Sequence, residues 1–245
     1  MKYAVYVEGQ SEMCFVADVL QKYSNFESEL IGFRCINLRK DSFVSESYPS
    51  QGGLESNDYY QIVNVNNDTL VLSKLRQDIQ GLLAQNFEVI IGLKDVYGAS
   101  YNEMVGRAEV NRNAIEQMHS IQFGAINHPD ADLRLHYAIM EFEAWMLALL
   151  NKVVTSRGLD LAEICRGIGI DFSLDPETTI FHPTQVVKQI YEAMGDNYGK
   201  HRGDIIAFLS TLTRDDYEWL RHSGRCASFG KFLDSLFGAP KPVLP

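Results

Sequence analysis

The sequence lacks a long apolar run, and this absence excludes helical membrane proteins. No uninterrupted apolar segment approaches the roughly 20 residues that a membrane-spanning helix requires. The apolar segment at the N-terminus is interrupted by Glu8, before it reaches the length of a signal peptide. The sequence therefore predicts a soluble, cytoplasmic protein that does not associate with a membrane.

Cysteine is scarce and shows no paired spacing. The chain has four cysteines, which are Cys14, Cys35, Cys165 and Cys226. No two of them stand in the Cys-x-x-Cys arrangement that is typical of zinc sites, and their wide separation does not indicate a disulfide framework. We expect reduced thiols in the core of an intracellular protein.

Positive charge is also in deficit. The 22 lysines and arginines are outnumbered by 32 acidic residues, which gives a formal net charge of −10. Such a chain repels a polyanion, so binding to nucleic acid would require a local basic patch, metal ions or a partner protein. Basic residues gather in the C-terminal third, where Lys200, Arg202 and Arg225 are the predicted contacts for a substrate phosphate.

The clearest positive signal is an apolar strand that ends at a carboxylate. Residues 3–7 suit a strand buried on both faces of a parallel sheet, and Glu8 follows directly. Gly9 permits a sharp turn, after which Glu12 lies in the first turn of an amphipathic helix. In an open α/β sheet ligands bind at the carboxyl ends of the strands, where this pattern places Glu8.

The same pattern returns twice along the chain. Residues 87–95 form an apolar run that ends at Asp95, and residues 133–140 form another that leads to Glu141, with Glu143 close behind. Two further strands are predicted, one at residues 31–38 and one at residues 59–65. The second of these is read as an edge strand, with a plain extended connection as the alternative.

These runs alternate with helical patterns, which predicts an α/β fold with a mostly parallel sheet flanked by helices. Residues 103–119 are predicted to form one helix, and residues 40–57 a long polar loop. From residue 151 onward helical segments are punctuated by glycine and proline, and no buried strand is evident. We therefore predict an α/β domain at residues 1–150 and a helical C-terminal region, residues 151–245, packed on it.

Glu8, Asp95 and Glu141 are predicted to meet at one edge of the sheet. Crowded carboxylates are costly unless a cation neutralises them, and hard oxygen ligands suit Mg²⁺ or Mn²⁺. Glu143 is a further candidate ligand, although two positions on a helix diverge by roughly 200° and would not both face the crevice. Glu141 is favoured as strand-terminal, and the choice reverses if the helix starts early. Glu12 is read as a dipole-stabilising residue.

Three ordered motifs carry a resemblance that spans most of the chain. They are VEGQSE at 7–12, DVYG at 95–98 and EFEAW at 141–145. Together they resemble the Toprim fold, the metal-binding domain of topoisomerases, primases and nucleases of the overcoming-lysogenization-defect type. The likeness is strongest to an uncharacterised bacterial family with Toprim-like architecture. It implies that Glu8 is a metal ligand or general acid/base and that Asp95 holds the metal. Toprim enzymes usually carry Asp-x-Asp at the second motif, whereas Tyr97 stands here in the second position.

The leading hypothesis is a magnesium- or manganese-dependent nuclease, with Glu8, Asp95 and Glu141 as catalytic residues, acting in prokaryotic defence against phage or mobile elements. The alternative is a non-catalytic binding or sensor subunit that works with an ATPase partner. A small-molecule phosphotransferase is disfavoured because the chain has no glycine-rich phosphate loop of the expected spacing. The nature of the nucleic acid, DNA or RNA, and assembly into a homo-oligomer stay open.

Overall fold

The computed structural model describes residues 1–39, 42–45, 49–67, 69–106 and 108–238. Its strands are β1 (Lys2–Val7), β2 (Ile31–Arg39), β3 (Ser42–Ser45), β4 (Asp58–Asn64), β5 (Val89–Asp95) and β6 (Asp132–Ala138). Its helices are α1 (Gln10–Tyr23), α2 (Leu70–Ala84), α3 (Ala99–Val105), α4 (Arg112–Ile126), α5 (Glu143–Leu149), α6 (Asn151–Ser156), α7 (Leu161–Gly167), α8 (Pro176–Thr179), α9 (Pro183–Ala193), α10 (Arg202–Leu209), α11 (Arg214–His222) and α12 (Ala227–Phe237). The predicted α/β fold with a helical C-terminal region is confirmed.

The strands form one sheet in the order β3, β2, β4, β1, β5, β6. β1 runs parallel to both of its neighbours, and Val7 pairs with Asn64 of β4 and with Leu93 of β5. β2 and β6 continue the parallel arrangement, whereas β3 is antiparallel at the edge beside β2. The carboxyl end of β1, which Glu8 follows, is therefore flanked by the carboxyl ends of β4 and β5.

The connections from these central strands diverge. The chain leaves β1 through α1, on one face of the sheet, and reaches β2 on one side of β1. It leaves β4 through α2, on the other face, and reaches β5 on the opposite side of β1. Loops that part in this way open a crevice at the carboxyl ends of the strands, which is where open α/β sheets bind ligands.

The C-terminal helices share one apolar core with α1. Phe15 of α1 lies 5.6 Å from Trp145 and 6.0 Å from Phe229, measured between ring centroids. These rings are fully buried, and the same core extends to the side chains of α9, α10 and α11. The division of the chain at residue 150 stays a prediction. None of the described helices combines the length and apolarity that crossing a membrane requires.

The prediction that residues 59–65 form an edge strand is wrong, because β4 lies between β1 and β2. Both faces of β4 are covered, and Tyr60, Ile62 and Val63 are buried. Tyr60 can lie inside the core because its hydroxyl donates a hydrogen bond to the Leu236 carbonyl at 2.7 Å, which satisfies its polar group.

Two further predictions need correction. The loop expected at residues 40–57 contains β3, and residues 40, 41 and 46–48 lie outside the described residues. The helix expected at residues 103–119 is divided into α3 and α4, because Gly106 adopts a left-handed conformation with a φ of 70° and ends α3.

Candidate functional site

The first contact at the carboxyl edge joins β1 to β5. The Glu8 carboxylate accepts a hydrogen bond from the backbone N–H of Asp95, with Oε2 and N 3.0 Å apart. Because β1 and β5 are parallel neighbours, the acids that end them lie next to each other. The structure therefore brings together two of the predicted site residues, Glu8 and Asp95.

A turn after β6 brings the next segment onto Asp95. Met140 is buried and has a φ of 63°, in the left-handed region that residues with a side chain rarely adopt. Beyond this turn the Phe142 N–H donates to Oδ1 of Asp95 at 3.0 Å. A strained backbone of this kind costs about 1–3 kcal/mol and persists where the surrounding structure holds it. Here it places the start of α5 above the end of β5.

Glu143 and Glu141 occupy different positions in the site. Glu143 is completely buried and accepts hydrogen bonds from the Tyr198 hydroxyl at 2.8 Å and from the Lys200 ammonium at 3.0 Å. Glu141 accepts a hydrogen bond from the Thr184 N–H at 3.0 Å, and its other oxygen lies 4.0 Å from Lys200 Nζ. The expected 200° divergence does not apply, since α5 begins only at Glu143. Both carboxylates therefore face the same ammonium group.

Glu12 is the site residue that sequence reasoning missed. Its side chain is buried, and burial raises the pKa of its carboxyl to about 7, with further contributions from the negative charges of Glu8 and Glu143. Gly9 makes room for it, since a Cβ on Gly9 would lie only 2.9 Å from Oε2 of Glu12. The sequence places Glu12 only four residues after Glu8, in the first turn of α1, and this proximity was the available signal.

We refer to these acids as the carboxylate cluster, which consists of Glu8, Glu12, Asp95, Glu141 and Glu143. Burial raises the pKa of Asp95 well above its ordinary value, and the charges of Glu12, Glu8 and Glu143 act in the same direction. The Lys200 ammonium opposes this shift. The negative charge of the cluster therefore exceeds what one ammonium group neutralises.

Lys200 is held in the cluster by charge and by backbone conformation. Burial lowers the pKa of its ammonium, but Glu143, Asp95 and Glu141 outweigh that effect and raise the pKa overall. The residue has a φ of 59°, so a left-handed turn directs the chain between Tyr198 and α10. Lys200 was predicted to contact a substrate phosphate. In the structure it is the counter-ion of Glu143.

The other two basic candidates have different surroundings. Arg202 is the first residue of α10. Arg225 donates hydrogen bonds to the carbonyl oxygens of Phe172 at 3.0 Å and Leu174 at 3.1 Å, and its guanidinium lies 4.8 Å from the centre of the Phe172 ring. The structure brings Lys200, one of the predicted phosphate contacts, to the carboxylate cluster.

The carboxylate oxygens of the cluster are the type of ligand that hard divalent cations prefer. Within the described part of the chain, no group of three His, Cys, Asp or Glu side chains is arranged to hold a metal ion. Mg²⁺ is usually bound through one or two carboxylates, with water and substrate phosphate completing its shell. The raised pKa values of Glu12 and Asp95 are the expected result of burying carboxylates close together with too little positive charge beside them.

The raised pKa of Glu12 predicts a specific dependence of stability on pH. An unfolded glutamate titrates at about 4.3. Glu12 titrates at about 7 in the folded chain, so its contribution to stability is complete below the unfolded value and is lost as pH rises through the folded one. We expect the free energy of unfolding of Glu12→Gln to exceed that of the wild type by about 3–4 kcal/mol at pH 8, and to be close to that of the wild type at pH 4.

Urea titrations in EDTA at several pH values would measure this difference. Glu27→Gln, which removes an exposed carboxylate just beyond α1, is the matched control and should show no comparable trend. A difference between Glu12→Gln and the wild type that stays constant across this pH range would contradict the prediction.

A family model described as Domain of unknown function (DUF4276) matches residues 7–236. The match includes every residue of the carboxylate cluster and Lys200. No curated protein and no solved structure matches the chain.

Proposed function

The chain belongs to the DUF4276 family, and we propose that it is a divalent-cation-dependent phosphodiesterase that cleaves nucleic acid. The observation that carries the proposal is the convergence of Glu8, Glu12, Asp95 and Glu143 around the carboxyl ends of the central strands. The crevice at this place is the expected ligand site of the fold. A buried excess of negative charge calls for a cation, and a cation recruits phosphate.

The residues of the site would have different roles in hydrolysis. Glu12 and Asp95 would hold the cation, with water and substrate phosphate completing its shell, and the bound cation would polarise a phosphoryl oxygen and lower the pKa of an attacking water. Glu8, which is half-buried, would accept the proton of that water. Lys200, whose side chain is 36% exposed, would direct its ammonium to a phosphate oxygen.

A relationship to Toprim enzymes belongs to the same proposal. It is supported by the order of the three motifs and by the positions of Glu8 and Asp95 at the ends of β1 and β5. Glu143 would take the place of the missing second aspartate, because its charge acts on Asp95 whereas Tyr97 supplies none. A role in defence against phage or mobile elements rests on this resemblance.

A second candidate function is a non-catalytic subunit that binds a partner such as an ATPase. The ion pair between Lys200 and Glu143, with Nζ and Oε2 3.0 Å apart, favours it, because an ammonium already neutralises one carboxylate of the site. A stable ATPase that co-purifies, together with no detectable binding of a divalent cation, would support this function over the nuclease.

The test of the first proposal combines binding with activity. Titration calorimetry in metal-free buffer should show that Mg²⁺ or Mn²⁺ binds the wild-type chain, and the same cations should raise its melting temperature. Single-stranded and duplex DNA and RNA should then be offered with each cation. Binding of neither cation and cleavage of no nucleic acid would overturn the proposal.

A further inference from the structure

A cavity of about 250 Å³ lies beside the carboxylate cluster at the carboxyl end of β5. Its wall includes Asp95 at the end of β5, Tyr97 just beyond it, the start of α3, and residues of α4. Asp95 belongs both to this wall and to the cluster. A molecule that fills the cavity would therefore adjoin the acids that we propose to act on phosphate.

The Tyr97 ring in this wall is held by two other rings. Its centroid lies 5.5 Å from that of Phe181 and 5.4 Å from that of His182, at interplanar angles of 77° and 69°. Phe181 and His182 also contact each other, at 4.5 Å. His182 directly precedes α9, whose Thr184 N–H binds Glu141. The Tyr97 ring is thus connected to the carboxylate cluster through His182 and α9.

Polar groups are placed around the same cavity. Gln122 accepts a hydrogen bond from the Tyr137 hydroxyl at 2.7 Å through its amide oxygen, which leaves the amide N–H groups to act as donors. Lys94 contributes a positive charge to the lining, and Met118 contributes an apolar contact. An aromatic ring, an apolar contact, an amide donor and a nearby cation are together the groups that bind a nucleobase and its phosphate.

We infer that this cavity binds one unpaired nucleobase of the substrate, stacked on Tyr97. This inference rests on the proposed function. A base inside a duplex already stacks between its neighbours, so only an unpaired or extruded base presents its face to a wall of this kind. The substrate class is therefore single-stranded nucleic acid or an unpaired loop. Tyr97, which stands where Toprim enzymes usually carry the second aspartate of Asp-x-Asp, would then hold the base.

The inference is tested by binding without catalysis. Fluorescence anisotropy in EDTA should compare one labelled sequence as a single strand and as a duplex, each as DNA and as RNA. We expect the single strand to bind more tightly than the duplex. Comparison of the DNA and RNA forms will show which sugar is preferred. Tyr97→Ala should weaken single-strand binding at least about fivefold, whereas Tyr97→Phe should retain it. Ile121→Ala, which truncates an exposed residue of α4 outside the cavity, is the control and should bind like the wild type.

The outcomes separate this inference from the proposed function. Unchanged single-strand binding by folded Tyr97→Ala, or no binding of a single strand by the wild type, overturns the base site. Cation-dependent cleavage by the wild type would still support the phosphodiesterase. Photocrosslinking of a 5-iodouracil oligonucleotide gives an independent readout: an adduct on the peptide that contains Tyr97 supports the base site, and an adduct found only elsewhere overturns it.

Discussion

Asp95→Asn is expected to lower cation-dependent cleavage of nucleic acid at least about a hundredfold while the chain stays folded. Asparagine removes the negative charge that would hold the cation. It keeps the oxygen that accepts the hydrogen bond from the Phe142 N–H, which lies 3.0 Å from Oδ1 in the wild type. The start of α5 should therefore stay in place above β5. Glu8→Ala is expected to act on cleavage in the same direction.

The stability of the same variant distinguishes lost chemistry from lost structure. The pKa of Asp95 is raised well above its ordinary value, by burial first and by Glu12 and Glu8 next, so its charged form opposes folding at neutral pH. Asp95→Asn should consequently be at least as stable as the wild type in EDTA at pH 8. Initial cleavage rates and urea titrations on one preparation would measure both effects.

Asp130→Asn is the matched control for this substitution. Asp130 is exposed in the turn before β6, so the variant makes the same change of charge outside the carboxylate cluster. It should cleave at the wild-type rate. Undiminished cleavage by both Asp95→Asn and Glu8→Ala would remove these residues from the mechanism and would leave the fold assignment as it stands.

The strands that carry the site were predictable because their apolar runs report burial on both faces. β1 and β5 end within the limits that these runs indicate, and Glu8 and Asp95 meet as the parallel arrangement requires. The insertion of β4 between β1 and β2 was not predictable in this way. Strand order depends on pairings between segments that are distant in sequence. The period of apolar residues within one strand carries no information about which strand lies beside it.

The features of the site that the sequence did not predict, namely the burial of Glu12, the turn at Met140 and the ion pair of Lys200, have a common physical cause. The pattern around Glu12 suits a solvent-exposed first turn, and its burial depends on a chain that folds over it from more than a hundred residues away. The left-handed turn at Met140 is held by tertiary contacts, and no glycine at this position indicates it in the sequence. Lys200 and Glu143 are 57 residues apart, so their ion pair belongs to the assembled fold.

Lys200→Met is expected to destabilise the metal-free chain by about 2 kcal/mol. Glu143 is completely buried, and without the ammonium its charge would have no compensation. Removing one partner of a fully buried pair costs about 3–5 kcal/mol. The expected value here is smaller because the Lys200 side chain is 36% exposed and water screens part of the interaction. Methionine keeps most of the length of the unbranched side chain, so the change is mainly one of charge.

A second substitution shows whether the lost charge is the cause. In the Lys200→Met background, Glu143→Gln removes the uncompensated carboxylate and retains an oxygen for the Tyr198 hydroxyl, which is 2.8 Å from Oε1 in the wild type. The double variant should therefore recover most of the stability lost in Lys200→Met, as urea titrations in EDTA would show. Lys188→Met, an exposed site on α9, should change little. If Glu143→Gln restored nothing, the contribution of Lys200 would lie in packing, and the charge balance that we assign to the carboxylate cluster would be wrong.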